Sequence, residues 1–290
     1  MDSLEERLPR QALIVGCGDI GQRVATRLQA MGREVTAIVR SAPSAAALRE
    51  QGLAVVEADL DHEAPSLPTP LLFWFAPPPA EGEGDPRLRR WLAAQASAPP
   101  RLVYISTSGV YGDCGGRWID EDEPLRPLSA RALRRIDAED ALREYAASHR
   151  SEVVILRVPG IYGPGRLPRQ RLQQGLPVVR EAESPYTNRI HAEDLAQAAL
   201  HAAAWGGAGR AYNVADGNPT TMCDYFTRCA ALLGLPPPPQ LTMAEAQQQL
   251  TPAMWSFMEE SKRLQTARLH EELRFTPRYP DLASGLPAAL

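Results

Sequence analysis

The chain has 290 residues, 44% of them hydrophobic, with 31 Lys plus Arg against 35 Asp plus Glu and a formal net charge of −4; this is enough apolar material for a full core, alone or with a smaller lobe, and it excludes a disordered or collagen-like chain. The arginines are mixed among acids, so apart from the cluster Arg131, Arg134 and Arg135 there is no basic footprint for a nucleic acid. No apolar run approaches the roughly 20 residues of a membrane span, and the acidic, polar start lacks the basic-then-apolar order of a secretory signal, so a cytoplasmic protein with neither membrane nor nucleic-acid partner is expected.

In chain order, short apolar runs at 12–15, 34–39, 53–57, 71–76, 101–106 and 152–158 alternate with helical periods such as Ile20, Val24, Leu28, Met31 closing on Gly32, and Leu133, Ile136, Leu142, Tyr145. That alternation predicts an α/β fold: a Rossmann-type, doubly wound parallel sheet whose Val/Ile/Leu strands are buried on both faces. After Val158 the pattern loosens into Gly/Pro loops, followed by a helix at about 192–204, a short strand at 211–215 and the proline run 236–239. We expect residues 10–158 with 191–216 to form the sheet domain, and 159–190 with 217–290 a smaller C-terminal substrate lobe in which Trp255, Phe257 and Met258 pack. A homodimer would use helices at about 86–97 and 130–148, through Leu88, Trp91, Leu92, Leu133, Ile136 and Leu142. Cys17, Cys114, Cys223 and Cys229 have no metal-ligand or disulfide spacing, so no metal is expected.

Gly16-Cys17-Gly18-Asp19-Ile20-Gly21 matches GxGxxG where a strand ends and a periodic helix begins. Glycines there permit a tight turn and a close backbone approach, so a pyrophosphate can sit on the helix N-terminus. The next strand ends in Arg40-Ser41, where an NAD site would place Asp or Glu; an arginine can pair with a 2′-phosphate, so NADP is expected over NAD. Asp59-Leu60 either meets the adenine edge or begins an ordinary loop.

With these residues in view, the stretches VGCGDIG, Asp59-Leu60, YISTSGVYGD at 104–113, LRVPGIYGPG at 156–165, RIHAEDLA at 189–196 and YNVADGNPTT at 212–221 resemble the extended short-chain dehydrogenase/reductase superfamily, in its NAD(P)-dependent sugar-nucleotide epimerase/dehydratase group. The resemblance implies NAD(P) across the strand ends, a C-terminal lobe over the substrate and frequently a dimer. It also implies Thr107 as the active-site hydroxyl, Pro159-Gly160 near the nicotinamide, and Ala76, Pro77 and Ser106 against the cofactor.

The family's YxxxK pair is absent: aligned on Ala138-Glu139, its Tyr and Lys fall on Arg131 and Arg135, and Lys262 is the chain's single lysine. Arg135 can hold a ribose, yet with a pKa above roughly 12 neither arginine is a general acid near neutral pH. Three readings follow. An oxidoreductase or epimerase would draw its proton from Tyr111, Ser106 or Ser108, or from Asp113, Cys114 or His191; a sensor would bind NADP without turnover; or Arg131 and Arg135 would clamp an anion. Arg166, Arg169 and Arg171 fit a small anionic substrate, while the stretch Tyr186 to His191 does not keep the family's arginine-before-aromatic register.

Overall fold

The computed structural model describes residues 3–256 and 258–290, without the side chains of Pro252 and Ala253; the expectation for Phe257 lies outside the described residues. Seven strands make one parallel sheet: β1 (Gln11–Val15), β2 (Glu34–Val39), β3 (Ala54–Glu57), β4 (Leu71–Trp74), β5 (Arg101–Thr107), β6 (Glu152–Val158) and β7 (Ala211–Asn213). Their spatial order is β7-β6-β5-β4-β1-β2-β3. Because β1 lies between β2 and β4, the chain leaves β1 and β4 in opposite directions and opens a crevice at their carboxyl ends.

The strand residues divide with period two. Ile14, Phe73, Val103 and Val154 face one core with α1 (Asp19–Ala30) and, later in the chain, the alanine-rich helix Ala192–Trp205. Leu13, Val15, Leu72, Trp74, Leu102 and Val153 face a second core, covered by the helices Pro86–Ala94 and Ala130–His149. With α2 (Ala42–Glu50) between β2 and β3, we number these helices α3 (Pro86–Ala94), α4 (Ala130–His149) and α5 (Ala192–Trp205). Leu88, Trp91, Leu92 and Leu142 belong to the second core, and Ile136 packs on Val110 and Tyr111; only Leu133 of the six residues expected at a dimer interface is exposed, at 40%. The apolar stripes of α3 and α4 are thus used inside the chain.

A further cluster of Tyr162, Leu172, Val178, Val179, Met222, Phe226, Cys229, Leu282 and Leu286, with Trp255 and Met258 against it, gathers around α6 (Met222–Leu232). Two-residue strand pairs tie the C-terminal third back to the sheet side, among them Tyr186–Thr187 with Thr220–Thr221 and Trp118–Ile119 with Arg263–Leu264. Gly160–Tyr162 and Arg189–His191 pair in parallel just beyond β6. The four cysteines are buried and free; among the described residues no group of ligands is placed to hold a metal, and no helix is long and apolar enough to cross a membrane.

Candidate functional site

The three glycines of the first turn serve different purposes. Gly16 has φ +83°, and a Cβ there would lie 2.3 Å from the Ala76 nitrogen; at Gly21 it would press Ile14 Cγ2 at 3.2 Å, so α1 lies tight on β1. Gly18 has nothing within 4 Å of its Cβ position and caps α1 without a side-chain hydrogen bond, so the first amides of the helix stay available on an open side. Asp19 begins the helix between Arg23 and Arg166, at 2.8 and 2.5 Å; burial opposes its charge, yet the hydrogen bonds from these arginines hold its carboxyl below the ordinary range. Arg166, expected at the substrate, therefore stands over the dinucleotide turn.

This turn opens into a cleft of about 650 Å³ lined also by Ile20, Arg40, Ser41, Ser44, Pro77, Arg135 and Arg166. Arg40 is exposed at the end of β2, and Ser41 caps α2, accepting from the Ser44 amide at 3.4 Å. Beside it a hollow of about 240 Å³ is lined by Ala58, Asp59, Leu60, Ala76 and Pro77. Asp59 both lines that hollow and starts a turn, accepting from the Asp61 amide at 3.1 Å. Open helix amides, an uncrowded Gly18 and an adenine-sized hollow are the features a dinucleotide requires, so the chain's residues fit one.

From the cleft, Pro77, Ile105, Arg135 and Ile161 are shared with a second cavity of about 370 Å³ that reaches Ser106, Thr107, Arg131 and Pro159. Thr107, Arg131 and Pro159 are shared in turn with a third cavity, of about 180 Å³. The three cavities thus adjoin through shared walls, and Thr107 lines both the second and the third. Its Oγ1 accepts the Gly109 amide at 3.2 Å, leaving its own proton to donate. Arg131 and Arg135 lie one turn apart on α4 and line these cavities from the same side. Arg135 Nη1 donates to Ile105 O at 2.8 Å and to the Tyr104 hydroxyl at 3.0 Å, whose pKa burial pushes up to about 12.

The other expected proton donors are engaged elsewhere. Tyr111 is 1% exposed, gives its proton to Asn213 Oδ1 at 2.8 Å and accepts from Arg157 at 3.1 Å. It does not line the cavity beyond Thr107, and that placement withdraws it from the donors. Ser106 gives its hydroxyl to Glu139 at 2.6 Å, and Glu139 is held in turn by Arg157 and Arg143. Asp113 accepts the Gly115 and Ser261 amides as a turn former, and Cys114 is buried. His191 caps α5 with Nδ1 and stands between the rings of Tyr162 and Tyr279, its pKa lowered by burial. Arg171 stacks on Phe226 of α6, and Arg169 begins a short helix.

Ser108 does line the third cavity, and there later parts of the chain add Tyr186, Asn188 and Arg189, from the stretch that departs from the family's register, together with Met222, Glu260 and Lys262. The lone lysine gives Nζ to Gly112 O at 2.7 Å and to Glu260 Oε2 at 2.6 Å. In the sequence it stands out only as the chain's single lysine, and no spacing ties it to the site.

Comparison with known proteins agrees with this geometry. Residues 86–215 match the NAD dependent epimerase/dehydratase family, and residues 12–75, the glycine-turn portion, also match ketopantoate reductase PanE/ApbA. Protein YeeZ of Escherichia coli (strain K12) is 27% identical over 287 residues, 94% of this chain and 97% of its own. A functionally unknown conserved protein from Silicibacter pomeroyi DSS is 31% identical and superposes with a TM-score of 0.83 over 97% of this chain and 98% of that one. MoeE5, solved with UDP-glucose and NAD, shares the fold at a TM-score of 0.73 and 23% identity over 96% of this chain and 97% of its own. With the glycine turn, the seven-stranded sheet and these likenesses together, the chain belongs to the NAD dependent epimerase/dehydratase family.

Proposed function

We propose that the chain binds NADP(H) in preference to NAD(H) and acts as an oxidoreductase or epimerase on a small hydroxyl- or carbonyl-bearing substrate, anionic or nucleotide-linked, with a proton relay other than the family's tyrosine. The observation that carries this reading is the row of adjoining cavities, sharing walls at Pro77, Ile105, Arg135 and Ile161, that runs from the open face of Gly18 to Thr107. The nicotinamide, when bound, supplies the hydride donor or acceptor. Arg135 and Pro159-Gly160 would hold the ring and its ribose, and Thr107, with its own proton free to donate, would hydrogen-bond the substrate oxygen. Arg131 brings positive charge to the oxygen on which charge develops, and Lys262, on the far wall, has an ammonium proton to lend. Arg40, the Ser41 hydroxyl and the α2 N-terminus suit a 2′-phosphate; no acid stands at the end of β2 to take a ribose hydroxyl.

Calorimetric titration with NADPH and NADH tests the cofactor. NADPH should bind more tightly, and Arg40→Glu should cost it about tenfold to a hundredfold while sparing NADH. Equal affinities would refute the preference. Turnover is tested by NADPH oxidation across a panel of carbonyl compounds and sugar nucleotides. A second reading, a sensor that binds NADP without using it, draws on the arginines at 131 and 135; tight binding with no oxidation anywhere in the panel would favour it.

A further inference from the structure

Arg189 is 9% exposed and begins the short strand beside Gly160–Tyr162. Its guanidinium lies over Gly160, where a Cβ would come within 2.2 Å of Nη1, so that glycine is what lets the side chain enter. Its contacts are weak for a charge: Asn188 O at 3.3 Å, Met222 Sδ at 3.4 Å, and the Tyr225 ring, 4.1 Å from its carbon to the centroid. Nε has no partner, and among the described residues no carboxylate lies within ion-pair distance. Burial pulls its pKa down, which expresses the same desolvation. Asp216 acts on this charge electrostatically without coming within ion-pair distance, and its own carboxyl is pushed toward the neutral form by burial. A buried ion without a paired counter-ion costs several kcal/mol, and a counter-ion arriving from outside offsets that cost.

The place for that counter-ion is the cavity of about 180 Å³ that Arg189 lines with Thr107, Ser108, Asn188, Arg131 and Lys262. Its walls carry three cations and one acid, Glu260, which spends Oε2 on Lys262 and keeps Oε1 buried without a partner. We propose that Arg189 and Lys262 form an oxyanion socket beside Thr107 that takes a carboxylate or phosphoryl group of the substrate, and that Glu260 Oε1 receives a hydroxyl of the same molecule. The proposal rests on reading this cavity as the substrate site, and it narrows the substrate to one whose anion lies close to the reacting carbon. A planar guanidinium edge suits either oxyanion.

Because the chain has a single lysine, protein labelled with ¹³C,¹⁵N-lysine gives one side-chain signal set, and it comes from this cavity. Malonate and inorganic phosphate are titrated separately at constant ionic strength; the tighter of the two tells carboxylate from phosphoryl. A saturable shift is expected in the wild type, weakened at least tenfold in Arg189→Met, with NADPH affinity unchanged. Removing an unpaired buried charge should also leave the ligand-free melting temperature of Arg189→Met at or above that of the wild type. Absence of a saturable shift, or equal affinity in the folded variant, overturns the socket without touching the cofactor reading. Should Arg189→Met fail to fold, Glu260→Gln decides: it removes the cavity's acid and should tighten the anion at least threefold, and unchanged affinity overturns the proposal.

Discussion

Asp216 follows β7, gives its backbone amide to Arg189 O at 2.8 Å and accepts the Asn218 amide with Oδ1 at 3.0 Å, while Oδ2 has no partner. Burial pushes its carboxyl from 3.8 up to about 7, against the Asn218 hydrogen bond and the charge of Arg189, with Asp281 and Asp194 adding to the rise. An acid with a higher pKa folded than unfolded keeps its proton in the native chain after the unfolded chain has lost it. Stability therefore falls as pH rises from about 4 to 7 and is level above. Asp216→Asn should remove that fall, raising stability at pH 8 by on the order of a few kcal/mol and leaving it unchanged at pH 4, as read from thermal melts. Equal effects at both pH values would contradict the assignment. None of this is written in the local sequence: a buried carboxyl and a buried guanidinium that approach without pairing are a product of how two loops fold over each other.

The elements divide by whether their signal is local. β1, β4, β5 and β6 are each built on a continuous apolar stretch of three to five residues, and the turn after β1 carries its own punctuation, so the sheet, its parallel sense and the glycine turn are legible directly. Arg135, singled out by aligning the family's motif on Ala138-Glu139, lines the cleft from α4. The stripe on α3 misled for a physical reason: Leu88, Trp91 and Leu92 have the same spacing whether they face the chain's own sheet or a second subunit. Since they face the sheet, Leu88→Asp should unfold the protein at a cost above about 4 kcal/mol rather than release folded monomers. Circular dichroism with urea separates the outcomes, and a folded, soluble variant would return α3 to the surface. Lys262 and Glu260 were illegible because their place is set by a strand pair of two residues, Arg263–Leu264 against Trp118–Ile119, too short to show a period.

For the molecule as a whole, that short pair closes a long loop of chain. It brings the last third across to the segment after β5, and the cavity beyond Thr107 exists only while the two stay joined. The Lys262 amide reaches Tyr186 O at 3.4 Å, and the next amide, of Arg263, reaches Arg117 O at 2.9 Å. A protease that cuts only after lysine therefore meets one scissile bond in the chain, and it is sealed in this seam, with Lys262 5% exposed. Such a protease should leave the native protein intact and, on partial opening, give just two fragments, 1–262 and 263–290. Their rate of appearance on a gel then times how often the lobe lifts from the sheet, and ligands that fill the cavity should lengthen that time in proportion to their occupancy. Rapid cleavage of the native chain, unaffected by NADPH, would mean that the seam does not hold the lobe shut.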